Sequence, residues 1–220
     1  MIHFHVITLF PESIEPYLKS SIIGRALKDR KIKVSFYDPK KFTRDKYGRV
    51  DRRPYGGGPG MVLEPDAILR AVQKAKGKRH ASIFFFSTDG VLFDEKMAQK
   101  VSKSTGKDIV LICGHYEGVD ERVVKILKAK RISIGPYVLT GGELPAAIFV
   151  DAVSRFVPGV LGKAESLERS RVSSPKVYTR PETLIWQGKK YKVPKVLLSG
   201  HHANIEAWKT KSNVRKAKRT

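Results

Sequence analysis

Cysteine, acidic side chains and long apolar runs are what this sequence has least of. Its one cysteine, Cys113, cannot form an intramolecular disulfide, which sets aside the disulfide-stapled secreted scaffolds and is expected of a cytoplasmic protein. A catalytic thiol is a poor reading of Cys113, because a cysteine inside an apolar strand is far more often a small core residue. No apolar stretch approaches the roughly 20 residues of a spanning helix, no lipidation motif is present, and the opening MIHFHVITLF lacks the basic region and long apolar core of a signal peptide. A membrane is therefore not expected as a partner. Acids are outnumbered, with 21 Asp+Glu against 43 Lys+Arg and a formal net charge of +22. Such a potential attracts polyanions with an affinity that falls as salt rises, so nucleic acid is the expected partner. The 220 residues, 41% of them hydrophobic, suffice for one substantial packed domain and a smaller one.

What is present is organised around residues 108–147, DIVLICGHYEGVDERVVKILKAKRISIGPYVLTGGELPAA. Two apolar strands, Ile109 to Cys113 and Ile132 to Ile134, each run into a glycine turn and then a helix. Gly114 and Gly118 bracket the polar turn HYE after the first strand; Gly135 follows the second, and Gly141-Gly142 precede the apolar helix LPAAIFVDAVSRF. Open α/β sheets bind ligands outside the carboxyl ends of their strands, where glycine lets backbone approach a ligand and helix-start N–H groups stay unpaired. The two turns are expected to form one pocket, whereas any single glycine would mark only a tight turn.

Around this stretch, Ile2 to Thr8 alternates as a strand, Ile14 to Lys28 carries helical spacing, and Lys33 to Tyr37 reads as a second strand. Helices at Pro65 to Ala75 and Phe93 to Ser104, with the strand Ser82 to Ser87, continue an alternation that predicts a mainly parallel sheet. His3 and His5 share a face of the first strand, but with no third ligand in view they read as ordinary core or surface histidines. From Asp38 to Val62 the pattern dissolves into a basic loop ending RRPYGGGPGMV, whose glycines allow backbone to lie against a flat base or ribose. It is not a phosphate loop, since Met61 follows GGGPG where that motif needs lysine and a hydroxyl. After Val157 a linker rich in Pro, Gly and Ser leads to a lysine-rich tail interleaved with Tyr178, Trp186, Tyr191 and Trp208. Basic residues hold phosphates and aromatics stack on unpaired bases, so the tail suits RNA; for Trp208 the core of a small helical subdomain is an equal alternative.

The blocks CGHYEGVDER, SIGPYVLTGGELPAAIFVDAVSR and RRPYGGGPGMV resemble the signature blocks of the bacterial tRNA (guanine-N1) methyltransferases of the SPOUT class, in family order and over nearly the whole chain. The resemblance implies an α/β fold with a mainly parallel sheet and a deep trefoil knot, plus a small, mostly helical C-terminal domain. It divides the chain into residues 1–160, a linker at 161–180 and a tRNA-binding domain at 181–220. It also implies a homodimer that methylates the guanosine on the 3′ side of the anticodon with S-adenosylmethionine. The cofactor residues carried over are Thr88, Gly114, Tyr116, Glu117, Ile134, Gly135, Pro136, Tyr137, Val138, Leu139, Gly141, Gly142 and Pro145. Those facing RNA are Arg52, Arg53, Tyr55, Gly57, Gly58, Arg180, His201, His202 and Trp208. Arg155 aligns with the arginine credited with stabilising the guanine anion; no metal ligand is assigned, and the sequence does not decide whether magnesium is required.

Four departures qualify the resemblance. Thr88 stands where relatives commonly carry proline, and Pro136 replaces an aspartate, removing a backbone donor and restricting Gly135. The sequence ends at Thr220, ahead of the relatives' arginine, proline and leucine ending. The fourth concerns the general base: aligned on Ser170, the acidic base position is held by Arg169, leaving Glu168 as the substitute base and Glu165 or Glu117 as alternates. Two functions are thus expected in competition, an active tRNA methyltransferase and a SPOUT-fold protein that binds cofactor or RNA with little or no turnover.

Overall fold

The computed structural model describes residues 1–104, 108–161 and 176–217, and the chain separates into two compact units, Met1–Leu161 and Gly162–Thr220. Elements are numbered in chain order. The first unit holds strands β1 (Ile2–Ile7), β2 (Ile32–Tyr37), β3 (Asp51–Arg52), β4 (Val62–Leu63), β5 (Ala81–Leu92), β6 (Asp108–Ile112) and β7 (Lys130–Ser133). Its helices are α1 (Glu15–Leu18), α2 (Ser21–Lys28), α3 (Pro65–Lys76), α4 (Glu95–Ser102), α5 (Glu121–Leu127) and α6 (Glu143–Ser154).

Five strands form one parallel sheet in the order β2-β1-β6-β5-β7, as the strand and helix alternation predicts. The central strands are apolar on both faces because helices cover both. Phe4, Val6, Ile109 and Leu111 enter one layer, Ile7, Val110 and Ile112 the other, and all are at most 1% exposed. In the first layer Phe149 of α6 packs its ring against Phe84, Phe86 and Phe93, at centroid distances of 5.0, 6.2 and 4.9 Å. Helix α3 serves the second layer with Ala67, Ile68, Ala71, Val72 and Ala75, one stripe at helical spacing.

Three local expectations are corrected. The single helix read over Ile14 to Lys28 is broken at Ser20, whose extended backbone (φ −97°, ψ 163°) caps α2 while its hydroxyl donates to the Tyr17 carbonyl at 2.7 Å. The strand read as Ser82 to Ser87 continues to Leu92. Phe86 and Val91 both pair with Ile132, so residues 87–90 form an excursion between two paired stretches. The loop at Asp38 to Val62 contains a short antiparallel ladder, Asp51 with Leu63 and Arg52 with Val62.

In the second unit β8 (Thr183–Trp186) and β9 (Lys189–Lys192) form an antiparallel hairpin, followed by α7 (Lys195–Leu198) and α8 (His202–Ala217). The turn residues Gln187 and Gly188 have φ of 48° and 73°, the pair of positive values that matches a two-residue turn to strand twist. The hairpin has no counterpart in the sequence reading of this tail. Among the described residues no helix is long and apolar enough to cross a membrane.

Candidate active site

The two glycine turns meet. His115 and Gly141 form an isolated antiparallel bridge, and the Gly142 amide donates to the Gly114 carbonyl at 2.9 Å. Glycine is required at 142 by this approach, since a Cβ there would lie 2.6 Å from the Cys113 Cα and 2.9 Å from the Gly114 nitrogen. Beyond the carboxyl ends of β6 and β7, and beside residues 85–88 where β5 leaves its first paired stretch, the joined turns enclose a cavity of about 390 Å³, within the range of small-molecule sites. Every predicted cofactor residue except Pro136 lines it: Thr88, Gly114, Tyr116, Glu117, Ile134, Gly135, Tyr137, Val138, Leu139, Gly141, Gly142 and Pro145.

Beneath the cavity lies a buried carboxylate that the sequence alone does not single out. Glu143, in the first turn of α6, is 5% exposed; it accepts the Thr8 hydroxyl at 2.6 Å and faces His115 Nε2 at 3.2 Å. His115, itself in the cavity wall, rests on Phe10 with ring centroids 4.7 Å apart, so the first strand's exit, the first turn and the start of α6 are tied at one point. Burial, with Glu143 as a lesser contributor, pushes the Cys113 thiol well up, which fits a core cysteine and not a nucleophile. At the rim Arg131 pairs with Asp89 at 2.8 Å and with Glu121, and both Arg131 and Glu121 also line the cavity.

The glycine-rich loop abuts the first turn. Glu117 donates its amide to Met61 O at 3.0 Å, Leu63 to Gly118 O at 3.0 Å and Asp120 to Leu63 O at 3.1 Å. Gly57 and Gly58 have φ of 80° and 111°, in the left-handed region, and Tyr55 beside them is fully exposed. Arg53 is also exposed, whereas the Arg52 guanidinium is engaged with Glu64 at 2.8 Å and Asp45 at 3.1 Å.

Arg155 is not brought to this cavity. It caps the carboxyl end of α6, thirteen residues after the cap Gly142 that closes the pocket. At 1.5 Å per residue the two ends of that helix are about 20 Å apart. Arg180, His201 and His202 are exposed in the second unit, and Trp208 there is half-buried with its ring 6.3 Å from that of Tyr178. The base candidates Glu168 and Glu165, with Arg169 and Ser170, lie outside the described residues.

A parallel α/β sheet with a pocket of joined glycine turns at its carboxyl edge defines a small-molecule-binding protein of the α/β class. Comparison with known proteins gives the family. The family model of tRNA (Guanine-1)-methyltransferase TrmD matches residues 2–220, and the chain belongs to that family. A tRNA (guanine-N(1)-)-methyltransferase of Caldanaerobacter subterraneus subsp. tengcongensis is 43% identical over 216 residues, covering 96% of this chain and 86% of that relative. Proteins of the same name from Pseudoalteromonas atlantica and Clostridioides difficile are 41% and 40% identical, each over 96% of this chain and over 80% and 92% of their own lengths. The chain is accordingly an enzyme of tRNA methylation, and the reading as a protein without turnover is not favoured.

Proposed function

We propose that this enzyme methylates N1 of the guanosine on the 3′ side of the anticodon, with S-adenosylmethionine held in the pocket of the two glycine turns. The joined turns carry the proposal, because they put backbone, apolar side chains and carboxylates around one cavity. Ile134, Leu139 and Pro145 offer apolar contact for an adenine, and the carboxylates of Glu117 and Glu121 suit a sulfonium. When bound, the cofactor supplies an electrophilic methyl group. The chain's part is to orient the guanine, remove its N1 proton and stabilise the charge that spreads to O6.

The roles we assign are charge stabilisation to Arg155 and proton removal to Glu168, next to the departure at Arg169. The length of α6 keeps Arg155 from its own pocket, and this supports a homodimer in which each pocket is completed by the partner copy. Leu144 and Ile148, four residues apart on α6, are 58% and 46% exposed, and Val138 is 84% exposed, an apolar surface suited to such a contact. Family membership further supports a trefoil-knotted path in residues 1–160, a linker at 161–180 and a tRNA-binding domain at 181–220. Exposed Arg53 and Tyr55 are assigned to the RNA; Arg180, His201, His202 and Trp208 extend that contact. The remaining RNA assignments, Arg52, Gly57 and Gly58, shape the loop that carries it.

The test is a methyl-transfer assay on tRNA transcripts carrying or lacking guanosine after the anticodon. Methyl incorporation confined to the first transcript is expected; equal incorporation into both overturns the site assignment. In single-turnover reactions at saturating tRNA, Glu168→Gln is expected to slow the chemical step by roughly 100-fold or more with cofactor affinity retained. An undiminished rate removes Glu168 from the mechanism.

A further inference from the structure

The sequence shows no third ligand beside His3 and His5; the fold supplies one. Parallel pairing of β1 with β6 puts Asp108 opposite His3, and its Oδ1 lies 2.8 Å from His5 Nε2 and 3.8 Å from His3 Nδ1. The three donor atoms all lie within 4.8 Å of one another. Zinc bonds of about 2.0 Å in a tetrahedral site require donors roughly 3.3 Å apart, and the two measured separations bracket that value.

The outer contacts are those of a ligand set. The far nitrogen of each imidazole is anchored to a hydroxyl, His3 Nε2 on Ser35 Oγ at 2.8 Å and His5 Nδ1 on Tyr37 Oη at 3.2 Å. In the ion-bound form, with these nitrogens donating to the hydroxyls, His3 Nδ1 and His5 Nε2 would each offer a lone pair to the ion. Such second contacts fix tautomer and ring orientation in histidine metal sites. The far carboxylate oxygen, Oδ2 of Asp108, is held by Arg79 Nε at 3.1 Å, leaving Oδ1 for the centre. His5 is fully buried, whereas the His3 and Asp108 side chains are 17% and 16% exposed, so one side stays open for a water as fourth ligand.

We propose that His3, His5 and Asp108 form a binding site for a borderline transition-metal ion, of which zinc is the expected one, at the amino ends of β1 and β6. Two imidazoles and one carboxylate select such ions over magnesium, whose preference is for oxygen. The pocket of the glycine turns lies at the opposite, carboxyl edge of the sheet, so the ion links β1 and β6 and takes no part in methyl transfer. No net proton is released. His5 is neutral before and after binding; its proton moves from Nε2, where it bridges to Asp108, to Nδ1, and the Tyr37 hydroxyl turns from donor to acceptor. Arg79 and the nearby Lys33 add positive charge that weakens binding relative to an all-cysteine site.

The full-length protein, stripped with a chelator, is titrated with Co²⁺ and followed by the d–d absorption of the bound ion, then with Zn²⁺ in competition. One Co²⁺ per chain, displaced by Zn²⁺ but not by Mg²⁺, is expected, with a thermal transition raised by Zn²⁺. The partly exposed His3, replaced in His3→Ala, and the isosteric change Asp108→Asn are each expected to weaken Co²⁺ binding at least 10-fold while His201→Ala/His202→Ala leaves it unchanged. Circular dichroism verifies that each variant is folded. No stoichiometric binding overturns the proposal, as does a His3→Ala protein binding like the parent or loss of the signal only in the His201/His202 variant.

Discussion

Replacing Gly142 by alanine tests the idea that the joined turns are the cofactor site. Its φ of −84° is open to any residue, so the added methyl acts through space and not through backbone strain. That methyl would stand 2.6 Å from the Cys113 Cα, 2.9 Å from the Gly114 nitrogen and 3.0 Å from the Cys113 Cβ, all atoms of a buried strand end. Backbone cannot yield as a flexible side chain can, so the two turns must part and the 2.9 Å bond from the Gly142 amide to the Gly114 carbonyl stretches or breaks. Overpacking of this kind costs about 1–3 kcal/mol, and the lost hydrogen bond adds about 1 kcal/mol. If the bound pocket needs the turns closed, about 2–4 kcal/mol corresponds to S-adenosylmethionine binding roughly 30- to 800-fold weaker. Calorimetry of cofactor binding reads this directly, with thermal unfolding recorded beside it. A comparison variant is Gly57→Ala, where a Cβ meets nothing within 4 Å but φ is +80°. It carries a local strain of about 1–2 kcal/mol in the loop and leaves the cavity walls in place. Parent-like cofactor affinity in Gly142→Ala, or equal losses in both variants, refutes the reasoning.

Three further outcomes follow from the packing and charge. Phe149→Ala removes a fully buried ring from a cluster of three other phenylalanines and is expected to cost about 3–5 kcal/mol in denaturant unfolding. Cys113, fully buried and with its thiol pushed up by burial and then by Glu143, is expected to ignore a disulfide reagent at pH 8 in the native protein and to react as one thiol per chain after unfolding. Because its ionisation is displaced upward, raising the pH to 9 should not expose it, and reaction of the folded protein would show the strand end to be open. Affinity for tRNA is expected to fall steeply with salt, and Arg53→Gln should reduce the slope of log K against log salt by about 0.7 if that side chain holds one phosphate of the single-stranded anticodon loop.

How much of the fold and site is legible in the sequence depends on how local the determinant is. The glycine turns can be read because strand, turn and helix follow each other within residues 108–147, and only their pairing across the bridge from His115 to Gly141 has to be supplied by the fold. The parallel sheet can be read from alternation alone. Glu143 cannot be picked out, because its partners are a threonine 135 residues earlier and a histidine in the other turn. Asp108 is invisible as a companion of His3 and His5 for the same reason: β1 lies between β2 and β6, and no local pattern announces that order. The hairpin at Gln187-Gly188 escapes notice although its glycine is in view, since its two four-residue strands, TLIW and KKYK, are short and neither alternates apolar with polar side chains. The distance from Gly142 to Arg155, by contrast, follows from the number of residues in one helix and its rise, and it bears directly on assembly.

That distance yields the sharpest test of the dimer. Arg155 and the pocket sit at opposite ends of α6, about 20 Å apart by helical rise, so if Arg155 takes the charge-stabilising role proposed for it, the pocket it serves is that of a partner copy. Two inactive variants then complement each other. Gly142→Val disables the pocket of its own chain but keeps Arg155; Arg155→Ala keeps its pocket but has no cation to lend. In a mixed dimer the pocket of the second variant meets the arginine of the first and one complete site is restored, while the other site lacks both. Random re-association of equal amounts makes about half of the dimers mixed, each with one of two sites working, so about one quarter of parental activity should return. Were Arg155 to act on its own chain's pocket, every site in the mixture would still lack one component and activity would stay at the level of the separate variants. Methyl incorporation into tRNA after co-refolding, with sedimentation equilibrium establishing the dimer, decides between them, and absence of recovery in a mixture shown to contain mixed dimers refutes the shared site.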